Sequence, residues 1–239
     1  MKTTVIRSAD PVTVLGGGEL FEGDLSLALS LAPILVAADG GADHAMGQGR
    51  MPDAVIGDMD SVRPETLASL PPERIHRITE QDSTDFDKAI RSIESPLLVA
   101  AGFCGRRMDH QLAVFNTMVR RADRVCLLLG AQEIAFVCPP RITLPTRAGD
   151  VVSLFPLMAV TGRSEGLEWP IDGLEFSPGG RSGTSNRALG PTVIEMDGPG
   201  MICLLPRALI RQGARILAAL PPCARWPARA GPHTDPHQS

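Results

Sequence analysis

The chain has 239 residues, a formal net charge of −4, 44% hydrophobic and 21% charged residues, an ordinary globular balance with room for one large or two small cored domains. That charge, with no basic run anywhere, excludes an electrostatic footprint for nucleic acid, so an anionic ligand has to be held locally or through a metal. No stretch has the roughly 18 apolar residues of a membrane span, the start MKTTVIRSADPV lacks a secretory core, and five scattered cysteines (Cys104, Cys126, Cys138, Cys203, Cys223) without CxxC spacing point to a reducing cytoplasm rather than a disulfide frame or structural zinc.

In chain order, VTVLGG (12–17) reads as a strand running into glycines and LSLALSLA (25–32) as a helix. ILVAADGG (34–41) is again strand then glycines, and DAVIGD (53–58) is strand then loop. RIHRIT (74–79) reads as a strand, DFDKAIRSIE (85–94) as a helix, LLVAAG (97–102) as a strand, DHQLAVFNTMVRRA (109–122) as a helix and RVCLLLG (124–130) as a strand. Strands alternating with helices indicate parallel βαβ units in a three-layer α/β sheet, and near-continuous apolar strands agree with burial on both faces.

The character changes after Gly130. EIAFVC, RITLP, DVVSLFPL, PTVIEM and MICLLP are short strands between Gly- and Pro-rich turns, a spacing that predicts an antiparallel sandwich or barrel. RALIRQGARILAAL (207–220) is a closing helix weakened by an internal glycine. The expected organisation is therefore an α/β domain over 1–130, a β-sandwich over 131–220, and a disordered Pro-rich tail over 221–239.

Ligands of open α/β sheets bind beyond the carboxyl ends of the strands. Here those ends carry Gly16-Gly17-Gly18, Asp39-Gly40-Gly41, Gly57-Asp58-Met59-Asp60-Ser61 and Gly102, so glycines and acids converge on one edge. The glycine run is a tight turn or a phosphate cradle; neither GxxxxGK[ST] nor GxGxxG is present. Asp58 and Asp60 project to one side of an extended chain and suit Mg²⁺ with substrate phosphates, or else form a solvated Asx-turn.

QDSTDFDKAI (81–90) puts Asp82 and Asp85 at a helix start, with Lys88 one turn on. Capping by Ser83 or Thr84 explains part of this, and a carboxylate for a metal beside an ammonium for a phosphate explains the excess of acids. In GFCGRRMDHQL (102–112), Arg107 is a phosphate candidate, Asp109 caps the helix or binds substrate, and His110 is a general base or a capping or packing histidine.

Taken together, ADGGADHA (38–45), PDAVIGDMDSV (52–62), QDSTDFDKAI (81–90) and GFCGRRMDHQLA (102–113) resemble the thiamine pyrophosphokinase family. GLEWPIDG (166–173) and GTSNRALGPTVIEMDGPGMICLLP (183–206) look like that family's later Trp and Ser-Asn motifs. The resemblance implies an ATP-binding α/β domain followed by a thiamine-binding β-sandwich. It also implies a homodimer with active sites shared between subunits, and Mg²⁺-dependent conversion of ATP and thiamine to AMP and thiamine diphosphate. By the family pattern Asp58, Asp60 and Asp85 form the magnesium and phosphate group, and Gln81 lies near the transferred phosphates. Asp39 and Asp109 line the pocket where nucleotide and thiamine meet. Trp169 packs on the cationic thiamine rather than in the sandwich core, with Ser185 and Asn186, all from the partner subunit. Asp109 or Asp85 is the acceptor of the hydroxyl proton, if one is needed.

Two positions depart from the pattern: Arg106 replaces a usual glycine, and Val114 a usual asparagine. They keep open a thiamine- or nucleotide-binding sensor that has lost catalysis; separately, the DxD pair leaves another Mg²⁺-dependent nucleotide-using transferase as an alternative.

Overall fold

The computed structural model describes residues 4–105 and 107–228. Alternation along each strand explains its central sheet. In β2 (Val12–Leu15), Val12 and Val14 point to one face while Leu15 points to the other, and all are fully buried. Period-two burial on both faces requires helices on both sides.

After β1 (Ile6–Arg7) and β2 come α1 (Asp24–Leu31), β3 (Ile34–Ala38), α2 (Gly41–Gly47), β4 (Ala54–Gly57), α3 (Pro64–Ser69) and β5 (Ile75–Arg77). Then follow α4 (Asp85–Arg91), β6 (Ile93–Glu94), β7 (Leu98–Ala101), α5 (Met108–Arg120) and β8 (Cys126–Leu129). Six of these strands form a parallel run in the order β8-β7-β2-β3-β4-β5, while β1 and β6 pair separately. Helices α4 (Phe86, Ala89, Ile90) and α5 (Val114, Met118, Val119) cover the Val12/Val14 face. Helix α1 (Leu25, Ala28) covers the Leu15 face.

The chain leaves β2 in one direction through β3, β4 and β5 and in the other through β7 and β8, so the topological switch lies between β2 and β7. The two loops meet there at backbone distance. A Cβ on Gly16 would stand 2.5 Å from the Gly102 carbonyl oxygen, and one on Gly102 (φ +74°) would stand 2.6 Å from that of Gly16. Both glycines are sterically required.

The second half contains β9 (Glu133–Val137), β10 (Arg141–Leu144), β11 (Val151–Pro156), β12 (Gly162–Leu167), β13 (Gly183–Met196), β14 (Met201–Pro206) and α6 (Ile210–Ala218). The expected change of character at Gly130 is present, because β9 runs antiparallel to β8. It is not a break. Gly130 and Glu133 close a tight hairpin (N–H to O, 2.9 Å), and the sheet continues through β9, β14, β11, β13 and β10. Strand β13 pairs first with β11 and then, beyond Gly190-Pro191, with both β10 and β12. One apolar cluster runs from Leu15 and Leu127 through Phe136 and Cys203 to Leu154, Ile194 and the helix α6. The result is a mixed α/β fold around one large mixed sheet.

Sequence patterning misses β1, α2, α3, β12 and the first half of β13, where Gly, Ser and charged residues mask the period, and it runs the helix of 85–94 through β6, which begins at Ile93 after α4 ends at Arg91. The Pro-rich tail is described in part. Residues 221–228 are described, and the Trp226 indole N–H donates to the Cys138 carbonyl at 2.7 Å while its ring packs on the core; residues 229–239 lie outside the described residues. All five cysteines are free thiols. Among the described residues no helix is long and apolar enough to cross a membrane. Trp226→Ala is expected to lower unfolding free energy by about 2 kcal/mol, below the value for a fully buried Trp, as read by urea denaturation; an unchanged midpoint would mean that the tail is not docked.

Candidate active site

The acids expected at the strand ends do converge. Carboxylate oxygens of Asp39, Asp58 and Asp60 lie within 4.8 Å of one another. The backbone bends to achieve this: Asp39 (φ 44°) and Met59 (φ 69°) are left-handed, a conformation Asp tolerates and Met adopts only under constraint. Met59 is held because its side chain is buried with Val55, Val62 and Leu70. Asp58 and Asp60 are thus not in extended chain. The Asp60 N–H approaches Asp58 Oδ1 at 3.4 Å, so the Asx-type turn and the convergence of acids coexist.

The loop is pinned from the preceding strand-to-helix connection. Asp39 Oδ2 accepts the Ser61 N–H at 3.2 Å, and Asp43 accepts the Arg63 N–H at 3.2 Å. Asp39 is 3% exposed, and its other oxygen, Oδ1, is buried with no hydrogen-bond partner. Burial pushes the Asp39 carboxyl up to about 6, against the lowering effect of the Ser61 hydrogen bonds. A buried, unpaired carboxylate oxygen beside two further acids fits a hard divalent cation, which takes carboxylates plus substrate phosphate oxygens.

Helix α4 supplies the compensating charge. Thr84 caps it by accepting the Asp87 N–H at 3.3 Å, and Asp85 then turns toward the acidic edge. The Lys88 ammonium, its side chain 3% exposed, lies 3.0 Å from Asp58 Oδ2 and 3.0 Å from Asp85 Oδ1. Desolvation opposes its charge, but the Asp58 and Asp85 hydrogen bonds outweigh this and raise its pKa. The Lys88 hydrogen bond in turn lowers that of Asp58. Lys88, expected as a phosphate ligand, therefore sits beneath the edge as a counterion to two of its acids. Gly57 permits this approach: a Cβ there would stand 2.9 Å from Asp39 Cβ and 3.3 Å from Asp85 Oδ1. Asp87 serves elsewhere, in a bidentate pair with Arg121 at 2.7 and 2.9 Å that ties α4 to α5.

The other candidates lie around this group. Gln81 is exposed in the loop before α4. Arg107 and Asp109 form a bidentate pair (3.1 and 2.6 Å) at the start of α5, both 64% exposed. The Arg107 guanidinium holds the Asp109 carboxyl down at about 2, which makes Asp109 a poor proton acceptor near neutral pH. His110 is exposed, Arg106 lies outside the described residues, and Val114 is a buried core position of α5. Beside the switch point, a cleft of about 390 Å³ is lined by Phe21, Cys104, Gln111, Phe115 and Leu204 among others. Patterning missed these, and also Arg77, whose guanidinium donates to the Asp58 carbonyl at 3.1 Å; the Gly57–Arg77 register that explains it is a tertiary fact.

Trp169, Ser185 and Asn186 form a separate group on the far part of the sheet. The Asn186 amide accepts the Trp169 N–H at 3.2 Å and donates to the Trp169 carbonyl at 2.7 Å. Ser185 (φ 59°) donates its N–H to Ser153 Oγ at 2.9 Å. Asn186 is buried, and the clamped Trp169 is 54% exposed. From β13 to β4 is eight strand-to-strand steps, roughly 38 Å along the sheet at about 4.8 Å each.

The model of the thiamin pyrophosphokinase catalytic domain matches residues 25–128, and that of its vitamin B1 binding domain matches residues 141–199. The chain belongs to the thiamine pyrophosphokinase family. Among relatives of this thiamine pyrophosphokinase family, thiamine pyrophosphokinase 1 of Oryza sativa subsp. japonica is 29% identical over 189 residues, covering 65% of this chain and 72% of its own. Thiamine pyrophosphokinase 1 of Arabidopsis thaliana is 28% identical over 189 residues, with 65% and 71% covered. The fold matches thiamin pyrophosphokinase from Candida albicans with TM-score 0.69 at 15% identity, covering 82% of this chain and 89% of that one. The Bacillus subtilis thiamine pyrophosphokinase matches at TM-score 0.65 and 17% identity, covering 82% and 98%.

Two outcomes follow for the family's acidic edge. Lys88→Met leaves two neighbouring carboxylates without their cation and is expected to cost roughly 2–4 kcal/mol of stability in metal-free buffer, with part recovered by excess Mg²⁺; equal denaturation midpoints would overturn the counterion assignment. For Asp39, the raised pKa means that the folded state favours the protonated form. Its contribution is full below about pH 4 and is lost as pH rises through about 6, a difference of about 3 kcal/mol. Metal-free Asp39→Asn should therefore be more stable than wild type above about pH 7, the gain vanishing near pH 4; a gain independent of pH would refute it.

Proposed function

We propose that the chain transfers the pyrophosphoryl group of ATP to the hydroxyl of thiamine, giving thiamine diphosphate and AMP. The observation that carries this reading is the acidic group Asp39, Asp58 and Asp60, with Asp85 joined to it through Lys88, inside the region matched by the family's catalytic model. Three-layer organisation of the parallel part and sandwich packing of the antiparallel part are the finer description we attach to the mixed sheet.

Asp58, Asp60 and Asp85, with Asp39 alongside, would hold Mg²⁺, which when bound neutralises phosphate charge and polarises the transferred group. Transfers of this kind are run mainly by positioning and charge neutralisation. The thiamine hydroxyl attacks the β-phosphorus and AMP leaves in line. Gly16 and Gly102 let backbone approach the phosphates at the switch point, and Gln81 stands over them. Arg107 exchanges its Asp109 partner for a phosphate, a release that costs little because both groups are solvated. Lys88 holds Asp58 and Asp85 in place and favours the charged form of Asp58. Asp85 stays paired to Lys88 and no strong base is assigned, so the hydroxyl proton passes to solvent or to a phosphate oxygen as the bond forms.

Trp169, clamped by Asn186 and Ser185, would stack on the thiamine cation, worth about 0.5–2 kcal/mol. Eight strand-to-strand steps, a path of roughly 38 Å along the sheet, separate the Trp169 group from the chain's own acidic edge, which supports a homodimer with each site shared; a cytoplasmic location is part of the same proposal. The burial of Val114 in apolar core gives its departure from the family pattern a packing reason and removes it as support for a sensor.

The test is AMP formation by purified protein with ATP and Mg²⁺, with and without thiamine. Thiamine-dependent AMP release that falls by at least about 100-fold in Asp58→Ala is the expected result. ADP as product, or binding of thiamine without turnover, would reject the proposal.

A further inference from the structure

The basic side chains flanking the acidic edge are neutralised by carboxylates, with one exception among the described residues. Lys88 lies between Asp58 and Asp85, Arg63 beside Asp43 and Arg107 beside Asp109. The exception is Arg77. It ends β5 opposite Gly57 in the parallel register, and the next residue, Ile78, donates its N–H to the Gly57 carbonyl at 2.8 Å. Arg77 is exposed, and its Nη1 donates to the carbonyl oxygen of Asp58 at 3.1 Å rather than to a carboxylate. The Asp58 carboxylate is already taken by Lys88. A guanidinium carries five N–H donors in one plane, so a single bond to a neutral carbonyl fixes its place while leaving its charge and most of its fork for a ligand.

Its position identifies that ligand. The strand order β7-β2-β3-β4-β5 sets along one edge the crevice of Gly102 and Gly16, then Asp39, then Asp58 and Asp60, and last Arg77. From β2 to β5 is three steps, roughly 14 Å, a span that an extended nucleoside triphosphate covers. Resting on the reaction proposed above, we infer that Arg77 binds the terminal phosphate of ATP, the phosphate chain running from the glycine crevice over the acids to β5. A planar fork suits phosphate oxygens, and its charge strengthens each hydrogen bond. The contact falls on the group that moves. A bond forms from the thiamine hydroxyl oxygen to the β-phosphorus, and the bond from that phosphorus to the bridging oxygen of the α-phosphate breaks, its electron pair leaving with AMP. The terminal phosphate stays attached throughout and becomes the outer phosphate of thiamine diphosphate. Arg77 therefore holds the pyrophosphoryl group before and after transfer and touches nothing of the departing AMP.

Binding without turnover tests this. The full chain is titrated calorimetrically, in Mg²⁺, with α,β-methylene ATP, which cannot be cleaved at the reacting bridge, and with α,β-methylene ADP and AMP. Arg77→Met should weaken the triphosphate by about 10- to 100-fold, the worth of a lost charge-assisted hydrogen bond. Affinity for the diphosphate and for AMP should change by less than about twofold, with an unchanged unfolding midpoint. Arg77→Lys, which keeps the charge but not the fork, should fall between. Equal losses for the triphosphate and AMP would make Arg77 a brace for the Asp58 loop and overturn the inference, as would unchanged triphosphate affinity. If the triphosphate alone is weakened in Arg77→Met while the wild type forms no AMP from ATP and thiamine, the phosphate contact stands and the transfer reading falls.

Discussion

A single buried ammonium sets the terms for the acidic edge. Acids from three consecutive segments crowd the ends of β3 and β4, and like charges at such distances in partly desolvated surroundings repel strongly. Lys88 offsets two of them from below, and burial holds Asp39 toward its neutral form, so the metal-free edge carries less charge than its composition suggests. The position of that ammonium is inherited from the core. Helix α4 is fixed by Phe86, Ala89 and Ile90 on the sheet and by the Asp87–Arg121 pair to α5. The loop bearing Asp58 and Asp60 is fixed by two backbone N–H groups donated to Asp39 and Asp43. Nothing at the edge depends on a long flexible side chain finding its place unaided.

Much of this was legible before the structure. Apolar runs ending in glycine or aspartate marked the parallel strands and the edge they share, because a strand buried on both faces leaves a continuous signature. The excess of acids over what a helix cap needs around Asp85 pointed beyond capping. What sequence could not give was pairing. Whether Lys88 faces a phosphate or its neighbouring acids depends on how α4 lies against β4, and Arg77 reaches Asp58 only through a strand register. Likewise the tripeptide Arg107–Met108–Asp109 hides a mutual ion pair that patterning reads as two independent ligands. Trp226, in a Pro-rich tail of low aliphatic content, finds its partner in a carbonyl 88 positions earlier, a contact with no local signal.

The hairpin between β8 and β9 gives the molecule a further property. Because hydrogen-bonded strands, rather than a linker, join the acidic edge to the Trp169 group, the span between them is a fixed number of strand widths. The chain behaves as a rigid ruler. Changes of loop length around the rim leave that span alone, whereas gain or loss of one strand would move it by about 4.8 Å. The number of strands, not the length of the connections, therefore sets how far apart the two groups of polar residues stand.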